Sequence, residues 1–189
     1  MSGKLAFVFS GQGSQKVGML AEMAAAYPVV LKTFAEASEV LDYDLWDLCQ
    51  NGEQEQLNAT ETTQPLLLTS SVALWRVWQE KNGKLPALLA GHSLGEWSAL
   101  VCANVLDFSD AVDLVRKRGA YMQTAVPKGE GSMAAVLNVD DEKILALCKE
   151  ASAVGVVEAV NFNSPGQVVI AGQVAAVDKA SELLKAAGA

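Results

Sequence analysis

The sequence predicts an α/β protein built in two parts, and three observations carry that reading. Two apolar runs of strand length, Leu5–Phe9 and Ala87–Ala90, are each followed by a Gly-rich turn and then by helical pattern. Beyond residue 126 the pattern changes to β-α-β-β-α. Hydrophobic residues make up 51% of the 189 positions and charged residues 19%, enough to fold around a sizeable core.

The elements follow in order. Leu5–Phe9 reads as a short buried strand and "SGQGSQ" as the turn after it. Helical pattern runs from about Gly18 to Tyr27. Pro28 ends it and opens "PVVLKTFAEASEVL", because proline pre-sets a helical φ and loses nothing in a first turn. "YDLWDLCQNG" predicts a short helix stopped at Gly52. Pro65 is expected to open a long amphipathic helix through Trp75 and Trp78 to Gly83. Ala87–Ala90 is a strand, Gly91–Gly95 a tight turn and Glu96–Ala103 a helix. Ser109 is expected to cap a helix reaching about Val126.

The Pro/Gly-rich "VPKGEGS" at 126–132 reads as a linker between parts spanning 1–126 and 127–189. Met133–Val139 is a strand, Asp140–Ser152 a helix, Val156–Asn163 a strand, Gln167–Gly172 a strand and Val174–Ala187 a helix. The ferredoxin-like unit is β-α-β-β-α-β, so this part has five of the six elements.

Lys and Arg total 14 against 22 Asp and Glu, a formal charge of −8. That balance argues against a general nucleic-acid or anionic-membrane binder. Cys49, Cys102 and Cys148 share no metal-ligand spacing and read as reduced thiols, which points to the cytoplasm. The start "MSGKLAFVFSG" lacks a signal-peptide core, and no run reaches the roughly 20 apolar residues of a membrane span.

Chemistry concentrates at "GHSLGEW", residues 91–97. Gly91-His92-Ser93-Leu94-Gly95 fits G-x-S-x-G, which exposes a nucleophilic serine on a sharp strand-to-helix turn. The Leu94 N–H would then stabilise an oxyanion, helped by the positive helix end. The alternative is an ordinary Gly-rich turn with Ser93 as a cap. His92 is the only histidine, but adjacent residues project in different directions. It is expected to be a buried imidazole bonded to backbone, leaving Ser93 without a visible base.

"SGQGSQ" follows the first strand, where an α/β sheet places its ligand crevice. The Gln12 N–H is a candidate second oxyanion donor there, against the alternative of a plain Gly-rich loop. Arg118 falls on an apolar helical stripe with Ala111, Val115, Met122 and Ala125, while Arg116 and Lys117 point elsewhere, to solvent. An arginine on such a stripe calls for an anionic partner. Two readings stand: an ion pair with a core-facing Asp or Glu, or capture of a substrate carboxylate.

These clues, with "FVFSGQGSQ", "TQPLLLTSSVALW", "AGHSLGEWSALVCA", Arg118-Gly119, "GSMAAV" and "VNFNSPGQVVIAG", resemble the malonyl-CoA:acyl-carrier-protein transacylases of bacterial fatty-acid synthesis. The resemblance extends over essentially the whole chain. It implies an α/β-hydrolase-like subdomain with an inserted ferredoxin-like subdomain. It implies Ser93 as the nucleophile, Gln12 and Leu94 as oxyanion donors, and Arg118 as partner of the malonyl carboxylate. It implies Met122 as a liner of the acyl pocket, with Asn163 and Gln167 near the acyl donor. The expected partners are malonyl-CoA and acyl carrier protein, with no metal or redox cofactor and coenzyme A entering only as the substrate thioester. Two departures leave the chemistry alone: Ser10 stands where the family often has Pro, and Trp97 where it often has Tyr.

The resemblance also implies a catalytic His in a "PSH"-like segment beyond the last small-subdomain strand. This sequence lacks that segment, so it is expected to be the N-terminal part of a longer enzyme and nearly inactive alone. Three other readings stay open. A serine esterase or thioesterase would use the same elbow without Arg118. A non-catalytic acyl-CoA or carrier-protein binding module would never acylate Ser93. An acyltransferase domain of a polyketide synthase is the third, although a start at Met1 directly before the first strand favours a stand-alone protein.

Overall fold

The computed structural model describes residues 3–127 and 129–189, so Met1, Ser2 and, within the expected linker, Lys128 lie outside the described residues. It is an α/β structure in two units, Met1–Thr124 and Ala125–Ala189.

In the first unit, β1 (Ala6–Phe9) and β2 (Leu88–Gly91) pair in parallel, Ala6 opposite Leu88 and Phe9 opposite Gly91. Both carry the period-2 pattern of a half-covered strand. Phe7, Phe9 and Leu89 pack on the core, whereas Val8 and Leu88 on the other face are 79% and 65% exposed. Helices α1 (Ala21–Ala26), α2 (Pro28–Leu41), α3 (Leu45–Asn51) and α4 (Gln54–Asn58) lie between the strands. Pro28 opens α2 as expected. Asp44 caps α3, its side chain accepting from the Asp47 N–H. The sequence pattern did not reveal α4, which is only five residues long and starts with a Glu53/Gln56 capping box.

Helix α5 (Thr60–Glu80) is the spine of this unit, packed by α2, α6 (Leu94–Cys102) and α7 (Phe108–Thr124). It starts five residues earlier than Pro65, which sits inside the helix rather than at its head. Pro65 lies at the sixth position, where proline forfeits the bond to the Glu61 carbonyl. Burial offsets this cost: Pro65, Leu66, Leu67 and Leu68 are all buried. Helix α7 begins at Phe108, and its cap is Asp107 rather than Ser109. Asp107 Oδ1 accepts from the Ser109 and Asp110 N–H groups at 2.9 and 3.4 Å.

In the second unit, β3 (Gly131–Leu137), β4 (Val157–Ser164) and β5 (Gln167–Gln173) form an antiparallel sheet in the order β3-β5-β4. Gly131 and Ser132, expected in the linker, already belong to β3. Helices α8 (Asp141–Ala151) and α9 (Val174–Ala186) cover one face, around Val136, Ile144, Val168, Ile170, Val177 and Leu184. Register shifts interrupt β4 near Val160 and Asn163. Among the described residues no helix is long and apolar enough to cross a membrane, and no cluster could hold a metal ion. The three cysteines are free and buried.

Candidate active site

The site starts at the end of β2. Ser93 takes φ 54° and ψ −111°, a positive φ rare for a residue with a Cβ. The turn leaves Ser93 exposed, the backbone arrangement that a nucleophile elbow requires. The flanking glycines make it feasible. A Cβ on Gly91 would lie 2.0 Å from the Gly95 carbonyl carbon, and one on Gly95 would lie 2.3 Å from the Phe9 oxygen. Both contacts are with backbone, so neither position accepts a side chain without moving the turn. Ser93 is exposed, and Leu94 opens α6 with its side chain buried. As the first residue of the helix, Leu94 has no intrahelical acceptor for its N–H.

The loop after β1 runs beside this elbow. A Cβ on Gly11 would come to 3.4 Å from the His92 oxygen. Amides hold the loop in shape: Gly13 N–H donates to Gln15 Oε1 at 2.8 Å, and Gln15 Nε2 donates to Asn58 Oδ1 at 2.8 Å. The Gln12 side chain donates to Thr60 Oγ1 at 3.3 Å.

Arg118 reaches the site from α7. Its Nη2 donates to Ser93 Oγ at 2.9 Å, and its Nη1 donates to Gln64 Oε1 at 2.6 Å. Gly119 permits this, since a Cβ there would sit 2.5 Å from the Thr60 oxygen and 2.6 Å from Glu61 Cα. The bare glycine lets α7 approach the first turn of α5 closely enough for Arg118 to meet Gln64. Gln64 Nε2 in turn donates to Met122 Sδ at 3.3 Å. Ser93, Arg118, Gln64 and Met122 thus form one connected group.

Several expectations change here. Arg118 has no carboxylate partner among the described residues; two neutral oxygens take its N–H groups. The stripe it shares is buried at Ala111 and Val115 but 50% exposed at Met122, and Ala125 lies beyond the helix. Arg116 is not simply solvated: it is half-buried and pairs with Asp113 at 3.0 Å. Lys117 pairs with the same carboxylate from an exposed position. These two cations hold the Asp113 carboxyl below the usual carboxylate range, hydrogen bonds from Lys117 and Arg116 being the main cause. His92 is exposed, not buried, because the turn that exposes Ser93 also carries its neighbour outward. Asn163 and Gln167 lie in the second unit, both exposed near the β4–β5 hairpin. Gln64 was missed; its signal was an amide heading the apolar run "QPLLL".

A strained serine before a helix, a Gly-rich loop beside it and an arginine touching its hydroxyl together make this the candidate active site. Residues 6–189 match the acyl transferase domain family, and the chain belongs to that family. It is 63% identical over 186 residues to the malonyl CoA-acyl carrier protein transacylase of Salmonella typhimurium, covering 98% of this chain and 60% of that protein. An acyl carrier protein S-malonyltransferase structure from Vibrio cholerae superposes with a TM-score of 0.94 at 60% identity, over 98% of this chain and 61% of that one. A malonyl-transacylase solved in complex with a holo type II PKS acyl-carrier protein gives a TM-score of 0.95 at 60% identity, over 98% and 60%. The chain therefore spans about 60% of the length of the relatives it matches.

Proposed function

We propose that this chain carries the nucleophile, oxyanion donors and acyl-selecting arginine of a malonyl-CoA:acyl-carrier-protein transacylase. The observation that carries the reading is Arg118 Nη2 at 2.9 Å from the Oγ of a strained, exposed Ser93. A cation fixed beside the nucleophile suits an acyl group that bears its own carboxylate. The similarity to malonyl transacylases supports the same substrate.

In the proposed reaction Ser93 Oγ attacks the malonyl thioester carbonyl while a general base takes its proton. The oxyanion rests on the Gln12 and Leu94 N–H groups, and coenzyme A leaves as the thiol. The pantetheine thiol of an acyl carrier protein then attacks malonyl-Ser93, and Ser93 regains its proton. Arg118 holds the free carboxylate throughout, and Met122 lines the acyl pocket. No metal or redox cofactor enters the scheme.

The base belongs, in this reading, to a segment outside residues 1–189. His92 is the sole histidine, and Ser93 Oγ bonds instead to a guanidinium that cannot accept a proton. Such a segment would cover the face of the β1-β2 pair on which Val8 and Leu88 are exposed. It would also add a strand beside β3, since β3-β5-β4 is the order of a ferredoxin-like sheet short of its last strand.

Intact-mass measurement after incubation with malonyl-CoA tests the proposal. The chain joined to its base-bearing segment should gain one malonyl group on Ser93, and Ser93→Ala should gain none. Residues 1–189 alone should acylate more slowly by about 10⁴-fold or more, the usual loss when a nucleophile lacks its base. An adduct elsewhere, or ready acylation by 1–189 alone, contradicts the scheme. Hydrolysis outpacing transfer to a pantetheine thiol would favour the esterase reading.

A further inference from the structure

We infer that Gln64 is a positioning residue that sets the preference for anionic acyl groups through Arg118; this rests on the reading just given. Gln64 is fully buried, 54 residues from Arg118 in sequence. A guanidinium has donors only, so the Gln64 amide must turn its oxygen to Arg118. The 2.6 Å bond holds Nη1, while Nη2 remains directed at Ser93. The same amide turns its NH₂ to Met122 Sδ. One buried side chain therefore orients both the cation and the thioether expected to line the acyl pocket.

The chemistry of the choice matters. An amide accepts from the guanidinium without neutralising it. A carboxylate at position 64 would pair with Arg118 and consume the charge meant for the substrate. Among the described residues Arg118 makes no salt bridge, so its full charge faces the nucleophile. A neutral acyl group gains nothing from that charge, whereas a malonyl carboxylate does.

The test uses the chain with its base-bearing segment, malonyl-CoA and acetyl-CoA as donors, and two near-isosteric variants. Gln64→Glu keeps the shape and neutralises Arg118. Gln64→Met keeps the volume and removes the acceptor. Both should lower kcat/KM for malonyl transfer relative to acetyl transfer by about ten- to a hundredfold, the range for one hydrogen bond to a charged group. For Gln64→Met the malonyl loss should fall mainly on KM. Thermal unfolding reports whether each variant folds; if Gln64→Glu does not, Gln64→Met alone decides. Parallel losses on both donors, or an unchanged ratio, overturn the inference. Arg118→Ala in the same assay separates the levels. If it shifts the ratio and the Gln64 variants do not, only the Gln64 role fails. If Arg118→Ala leaves the ratio unchanged, the carboxylate reading itself fails.

Discussion

Replacing Gly95 by Ala should damage stability and acyl transfer together, because one contact sets both. Gly95 lies in the first turn of α6, facing the end of β1. A Cβ there would be 2.3 Å from the Phe9 oxygen, 3.0 Å from the Phe9 carbonyl carbon and 3.2 Å from the Ser10 oxygen. Ordinary contacts start near 3.4 Å, so helix and strand end must part by about 1 Å. No flexible side chain can absorb that shift. Overpacking of this kind costs about 1–3 kcal/mol, and each kcal/mol lowers Tm by roughly 2–4 °C in a chain of this size. The displaced strand end leads directly into Ser10-Gly11-Gln12. Parting it from α6 spreads the two proposed oxyanion donors, Gln12 and Leu94. Loss of one such donor costs about 10²–10³ in turnover. Calorimetry would read the first effect and the initial rate of malonyl-enzyme formation the second. Gly3→Ala, with no atom within 4 Å of its new Cβ, serves as the control. An unchanged Tm would refute the packing argument. A lowered Tm with an unchanged acylation rate would refute the link between strand spacing and the oxyanion site.

Three further outcomes follow from the same geometry. Burial pushes the Cys102 thiol up to about 12 and raises Cys49 and Cys148, so all three should resist thiol reagents at pH 8 until the chain unfolds; mass spectrometry with and without denaturant counts the labels. Asp113, held low by Lys117 and Arg116, stabilises the fold above the ordinary carboxylate range and loses that contribution as pH falls through its depressed pKa. Asp113→Asn should therefore open a small Tm gap at neutral pH that closes in strong acid. Gly172→Ala would place a Cβ 2.0 Å from the Val156 oxygen and should destabilise the second unit by about 1–3 kcal/mol, read as faster hydrogen exchange in β4 and β5.

Local signals in the sequence located most elements. Pro28 marks the head of α2, alternating apolar residues mark the strands, and Gly91 and Gly95 bracket the elbow, because each acts through its own backbone or its nearest neighbours. The same locality explains the errors. Pro65 reads as a helix start because proline favours a first turn, yet the packing of α5 against α2, α6 and α7 carries the helix through it. Ser109 and Asp107 are both capping residues, and only the hydrogen bonds choose Asp107.

By itself the sequence located the strand-to-helix turn that carries Ser93. Gly91 and Gly95 leave room for the strand end and the helix to approach there, and that close packing holds Ser93 at its strained positive φ. The sequence also marked Arg118 as a charge on an apolar stripe. What it could not supply was that arginine's partner. The stripe demanded an anion, and the tertiary structure provided Gln64 and Ser93 instead, 54 and 25 residues away. The pairing depends on Gly119 letting two helices touch at their backbones, a distance no residue pattern encodes. The physical reason is that sequence periodicity shows which way a side chain faces, while only packing decides which atom it meets.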